Sequence, residues 1–221
     1  MHLNPAEFAL FVVPFLMAVV FHEWAHGYVA KQLGDNTASI AGRLTLNPLA
    51  HIDPVGTLAL PAFLMMTGAP FLFGWAKPVP ISFHQLRNPR RDMVLVALAG
   101  PLMNLALAFA SAALLSLIIS MVPMAAGPDG GFRIAEPLAR MCQNSVMLNV
   151  VLAVFNMIPI PPLDGGRVAV GLLPRELAYN VARLEPYGFL IVMVLLATHM
   201  LDSILRPVAG AILGVLQALF G

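Results

Sequence analysis

Apolar residues gather in six runs along this chain, at about 8–30, 55–75, 93–122, 141–160, 187–201 and 204–220. A membrane-spanning α-helix needs about 20 predominantly apolar residues, and the first, third and fourth runs reach that length. The fifth is short unless it begins at Pro186-Tyr187, and the sixth carries Arg206-Pro207 near its start. Each of these two is either a full span or an interfacial helix. Between the first two runs, Leu44 and Leu46 alternate with Arg43 and Thr45, the period of a short strand. Asn47-Pro48 and Asp53-Pro54 then read as turns. Trp75 to Ile81 is extended by Pro78 and Pro80, and a Gly-Pro loop (123–131) separates the third and fourth runs. Residues 165–185 carry Arg167, Arg175, Glu176, Arg183 and Glu185 and must lie outside lipid. Within them Pro174-Arg175-Glu176-Leu177 starts a short helix, with proline in its first turn.

Composition sharpens the class. Of 221 residues, 59% are hydrophobic and only 10% charged. Soluble domains carry about 25% charged residues, so this is an integral membrane protein. No gap between runs exceeds about 25 residues, too few for a separate soluble domain. The expectation is one membrane domain, 1–221, with a core at about 8–170 and C-terminal membrane helices at about 186–220. Residues 1–7 lack the basic segment and cleavage site of a signal peptide, so the first run is expected to remain as a spanning helix. A single cysteine, Cys142, excludes an internal disulfide. A net charge of +1 gives no reason to expect nucleic acid, and nothing suggests a dinucleotide.

Chemistry enters at Phe21-His22-Glu23-Trp24-Ala25-His26, an H-E-x-x-H motif inside the first apolar run. On a helix His22 and His26 lie one turn apart on one face and can close on one metal ion. Glu23 reaches the edge of that face. A surface helix with scattered polar residues is the ordinary alternative, but the flanks here are Leu, Val, Phe and Met. Three ionisable residues at membrane depth cost several kcal/mol unless something compensates them, and a metal does so economically.

The second landmark ends the fourth run: Asn156-Met157-Ile158-Pro159-Ile160-Pro161-Pro162-Leu163-Asp164-Gly165-Gly166. Three prolines in four positions cannot continue a helix. Broken backbone at membrane depth is tolerated where it lines a protein-enclosed or watery cavity, so this segment should line a site. Asp164 alone would pass for a turn residue before Gly-Gly. With His22 and His26 it completes a three-ligand set that leaves the fourth tetrahedral position open, the pattern of catalytic zinc.

On these two motifs the chain resembles the site-2 protease family, intramembrane zinc metalloproteases whose hallmarks are H-E-x-x-H and a later N-x-x-P-x-P-x-L-D-G. Ala99-Gly100-Pro101-Leu102-Met103-Asn104 is similar to a helix of that family lying between them. The resemblance covers about residues 8–170. It implies one Zn2+ held by His22, His26 and Asp164, with Glu23 as general base. It implies that Asn156 and Asn104 help hold the substrate backbone or its oxyanion. Many relatives carry a PDZ or CBS domain, for which this chain has no room.

The ligand set makes a demand on topology. His22 and His26 lie near the end of the first run and Asp164 beyond the fourth, so both runs must cross in the same direction. The third run is the return crossing. Run two (55–75) therefore enters and leaves on one side, as a re-entrant or surface hairpin bent near Gly68-Ala69-Pro70. The face bearing the site then collects Lys31, Arg43, Lys77, Arg87, Arg90, Arg91, Arg167, Arg175 and Arg183, against Arg133, Arg140 and, if the fifth run crosses, Arg206 opposite. By the positive-inside rule the site lies near the cytoplasmic face and the N-terminus outside.

The expected fold is an all-α polytopic membrane protein of about five to six hydrophobic helices. It has a three-helix catalytic core, the hairpin at about 55–75, and short β-like segments near the site. The expected activity is hydrolysis of a peptide bond in or near a transmembrane segment of a membrane-protein substrate, in the lipid bilayer, with oligomeric state open. The backbone at Arg43–Leu46 and Lys77–Ile81 could pair with that substrate as an added strand, although Pro78 and Pro80 leave one usable edge. A metal transporter or sensor using the same cluster is the alternative, but only one strongly broken segment occurs and Glu23 would be idle. A zinc protease with a glutamate third ligand is disfavoured, since Glu136, Glu176 and Glu185 lie outside the apolar runs. His51 and Asp53 read as a turn with a capping aspartate. His2, His84 and His199 are incidental.

Overall fold

The computed structural model describes residues 5–67, 74–125 and 132–221. Helix α1 (Pro5–Gln32) covers the first apolar run in 28 residues, about 42 Å of helix. A four-residue turn, α2 (Thr37–Ile40), follows. A 3₁₀ turn (Pro48–His51) and a π-helical turn (Pro54–Ala59) lead into the short α3 (Leu60–Met66). A second 3₁₀ turn (Phe83–Gln85) precedes α4 (Pro89–Ala125), which at 37 residues outreaches a bilayer core. Then come α5 (Phe132–Asn156), α6 (Asp164–Leu172), α7 (Arg175–Ala182), α8 (Glu185–Ala197) and α9 (Asp202–Phe220). Among the described residues α1, α4, α5 and α9 contain stretches long and apolar enough to cross a membrane. At 13 residues α8 is too short alone, and it meets α7 at a 68° bend, so the pair makes at most a broken fifth span.

Helices α1, α4 and α5 pack against one another, and buried polar side chains link them among mostly small apolar residues. Asn104 on α4 donates to the Ala18 carbonyl of α1 (3.1 Å) and to Asn149 Oδ1 on α5 (2.8 Å). Asn144 on α5 donates to the Leu10 carbonyl (2.9 Å), and Ser111 meets Ser145 at 2.8 Å. Among apolar surroundings a polar side chain has few partners except another helix, so such bonds set the register. Against the outer side of α4 and α5 packs α9, through Ala108, Ala112, Val150, Val154, Ala209 and Leu216.

Run two returns to its starting point. Trp75 N–H donates to the Gly56 carbonyl (3.1 Å), Thr57 Oγ1 donates to the Trp75 carbonyl (2.9 Å), and Lys77 N–H donates to the His51 carbonyl (2.9 Å). Its two ends are thus laced together, as a hairpin requires and a simple crossing forbids. The bend expected at Gly68-Ala69-Pro70 lies outside the described residues. Asp53 caps the π turn, accepting from Val55 N–H (3.0 Å) and Gly56 N–H (2.7 Å).

One sequence expectation needs correction, and two elements are located more finely. The strand anticipated at Arg43–Leu46 does not form; the described residues contain no strand, and this stretch is irregular. The guanidinium of Arg43 turns back onto the carbonyls of Ala50, Lys77 (2.9 Å) and Pro78 (3.3 Å), while Pro78 and Pro80 carry no N–H for a ladder. The fourth run starts earlier than its apolar residues suggest, because Phe132–Arg140 is helical despite Pro137. Asp164 lies not in a turn but at the first position of α6. A carboxylate is favourable there beside unpaired helix N–H groups.

The loops are stapled at the same end as α6. Asp35, just past α1, accepts from the Thr37 N–H (2.9 Å), the Thr37 hydroxyl and the Ser82 N–H (2.6 Å). Burial pulls its carboxyl group upward, but these three donors win and hold its pKa below the ordinary carboxylate value. Arg87 N–H donates to the Leu33 carbonyl (3.1 Å). Arg90 donates to the carbonyls of Gly171 (3.0 Å) and Leu173, tying the start of α4 to the end of α6.

Candidate metal centre

Helical spacing puts His22 and His26 side by side on α1, their rings 4.6 Å apart and nearly perpendicular. The buried start of α6 brings Asp164 to them. Asp164 Oδ2 lies 3.1 Å from His22 Nε2 and 3.2 Å from His26 Nε2, and the two Nε2 atoms are 3.0 Å apart. Gly100 of α4 crosses directly over the pair; a Cβ at that position would overlap His26 Nε2 and His22 Cε1.

The far side of each ring decides what the near side offers. His26 Nδ1 faces the Val96 carbonyl at 2.7 Å. A carbonyl only accepts, so Nδ1 carries the proton. His22 Nδ1 faces Asn104 Oδ1 at 2.6 Å. The Asn104 amide is oriented by Ala18, whose carbonyl demands the NH2 group and so turns Oδ1 to His22. Both imidazoles therefore present an Nε2 lone pair to the carboxylate. Three acceptor atoms meet in a buried place, and Asp164 Oδ2 has no hydrogen-bond donor. A proton on one Nε2 would satisfy a single approach; a cation at the centre satisfies all three. Tetrahedral ligands at about 2.0–2.1 Å from zinc lie about 3.3 Å apart, close to the separations here. The donor set fits zinc.

Glu23 points another way. Its Oε2 accepts the Val79 N–H at 2.7 Å. Because Pro78 and Pro80 lack N–H groups, that amide is the sole backbone donor of residues 78–80. Gly27, one turn after Glu23, makes the approach feasible, since its missing Cβ would lie 2.8 Å from Val79 Cγ1. The remaining sequence candidates separate. Asn104 is fully buried with both N–H groups committed, so it orients His22 and has no donor left for a substrate. Asn156 donates to the Leu152 carbonyl on its own helix (3.0 Å). His51 is buried, with Nε2 at 2.9 Å from the Thr45 carbonyl. Sequence reading missed the Val96 carbonyl, the Val79 amide and Asn149. Only Asn149 left a signal, as a polar residue within an apolar run.

The model of Peptidase family M50, the site-2 proteases, matches residues 10–198. The chain belongs to that family. "Putative zinc metalloprotease YwhC" of Bacillus subtilis (strain 168) is 38% identical over 215 residues, covering 95% of this chain and 91% of that protein. Rip2 of Mycolicibacterium smegmatis, of the same description, is 32% identical over 199 residues, covering 88% and 69%. Rip2 of Mycobacterium tuberculosis (strain H37Rv) is 28% identical over 196 residues, covering 89% and 70%. No solved structure matches the chain.

Proposed function

We propose that this member of the site-2 protease family is an intramembrane zinc metalloprotease. Its substrate is a membrane protein cut within or near a transmembrane helix. The observation that carries the reading is the convergence of His22 Nε2, His26 Nε2 and Asp164 Oδ2, with both ring protons drawn off to the opposite nitrogens. These three residues would hold one Zn2+, which when bound polarises the scissile carbonyl and lowers the pKa of water from 15.7 toward about 7.

The chain's own groups supply the rest. Glu23 takes the proton of the attacking water and delivers it to the leaving amine, a role worth about 10²–10⁴ in rate. Its bond to Val79 keeps one carboxylate oxygen engaged and leaves the other for that proton. Asn156, at the last turn of α5, is the proposed donor to the developing oxyanion through its N–H not on Leu152. A substrate helix has its carbonyls in internal hydrogen bonds, so it must unwind locally before a peptide bond reaches the cluster. The irregular stretches 43–47 and 75–82 lie beside α1 and offer backbone groups to the unwound segment.

Helices α1, α4 and α5 form the catalytic core in this reading, with the hairpin between residues 56 and 75 on the site's side. Lys31, Arg43, Arg87, Arg90 and Arg167 also lie at that end, and this basic bias supports a site near the cytoplasmic face with the N-terminus outside. The decisive experiment compares wild type with Glu23→Gln in purified form and in cells. Glu23→Gln should bind zinc normally, lose cleavage, and let uncut membrane proteins accumulate. Retained cleavage would refute the assignment of the base.

A further inference from the structure

We propose that Asn149 is a positioning residue for the metal centre: it holds the Asn104 amide so that His22 keeps its Nε2 lone pair turned toward Asp164 and His26. The inference rests on the reading that these three residues bind zinc. Asn149 lies on α5, is 1% exposed, and its hydrogen bonds go to Asn104 and Ser145 and to none of the proposed ligands. Its Nδ2 donates to the Ser145 carbonyl at 2.8 Å, one turn earlier on the same helix. Because a carbonyl only accepts, this contact fixes the amide orientation and turns Oδ1 toward α4. There Oδ1 accepts from Asn104 Nδ2 at 2.8 Å.

Asn104 then faces two acceptors, Asn149 Oδ1 and the Ala18 carbonyl, which take both of its N–H groups. Its Oδ1 is left for the Nδ1–H of His22. The polarity runs one way, from a backbone carbonyl of α5 through two buried amides to an imidazole of α1. Flipping Asn104 would set its oxygen against two acceptors. Without Asn149 it would face one, and the opposite tautomer of His22, with a proton on Nε2 where a cation should bind, becomes accessible. Outer partners of metal-bound histidines typically affect metal affinity about 10- to 100-fold.

The test uses the full chain in detergent, with zinc affinity from chelator competition and the melting temperature of the zinc-free protein measured side by side. Asn149→Leu should weaken zinc binding about tenfold. Asn149→Asp should restore most of it. A fully buried carboxyl stays protonated, accepts from Asn104 and donates to the Ser145 carbonyl as the amide does. If Asn149→Leu fails to fold, Asn149→Ala is read in the same assay, since it removes the acceptor without adding bulk. Wild-type affinity in the leucine or alanine variant would overturn the proposal. So would an aspartate variant no better than leucine, because packing alone would then explain the loss. His22→Ala separates the two levels: if it binds zinc like wild type, the ligand assignment itself falls and this inference with it.

Discussion

The two sides of α1 are built differently. Toward α4 and α5, His22 and His26 meet side chains and carbonyls in a fully buried layer where Asn104 and Asn149 have every N–H and carbonyl group engaged. Toward the cover formed by residues 43–67 and 74–82, Glu23 meets one backbone amide. That cover is laced by backbone bonds and by Arg43, and carries exposed Leu46, Leu49, Val55, Phe63 and Met66. Buried, fully paired polar networks are rigid, whereas segments held by partly exposed backbone bonds open more easily. The contrast separates two tasks: the proposed metal ligands sit in the stiff layer, and the proposed base faces the layer that can shift for a substrate.

The sharpest way to break this comparison is to damage one side and read both tasks. Glu23→Gln should cut turnover by about 10²–10⁴ with zinc content unchanged, measured by peptide cleavage and metal analysis. His22→Ala or Asp164→Asn should instead lose the metal, and cleavage with it. Next comes Asn104→Leu, which leaves the His22 Nδ1–H and the Asn149 oxygen unpaired in a buried place. It should destabilise the protein by about 1–3 kcal/mol and weaken zinc binding about 10- to 100-fold.

Gly27→Ala probes the other side. Its new Cβ would meet Val79 Cγ1 at 2.8 Å and push the Val79 amide from Glu23. Turnover should fall by about tenfold, within the range a misplaced acid–base group costs, while zinc affinity stays at the wild-type level. Equal losses in both would show that the two sides are not independent.

The smallest effect concerns Asp35, which ties the cover to the end of α1. Its folded pKa lies below the unfolded one, so its contribution to stability is present above the ordinary carboxylate value. That contribution is lost as pH falls through the depressed folded value. Thermal unfolding followed from pH 7 to acid should therefore show a shallower decline in Asp35→Asn than in wild type, from a lower starting point.

Some of this was written in local sequence. The spanning helices follow from continuous apolar length, the His22–His26 pair from helical spacing, and the break after Asn156 from three prolines. The return of residue 75 toward residue 56 followed from requiring Asp164 to meet the histidines, a constraint of connectivity. Asp53 as a cap was legible because its chemistry acts within three residues. Other features had no local signature. The Val96 carbonyl that orients His26 and the Val79 amide that holds Glu23 are main-chain groups, identical in every residue except that proline lacks the amide. Their partners lie 70 and 56 residues away. Asn104 showed itself as a polar residue in lipid, but whether it met substrate or histidine depended on which helices flank it. Spacing and length are local properties and survive in one dimension. The direction in which a buried donor points is settled by what the packed helices place opposite it, and tertiary structure alone supplies that.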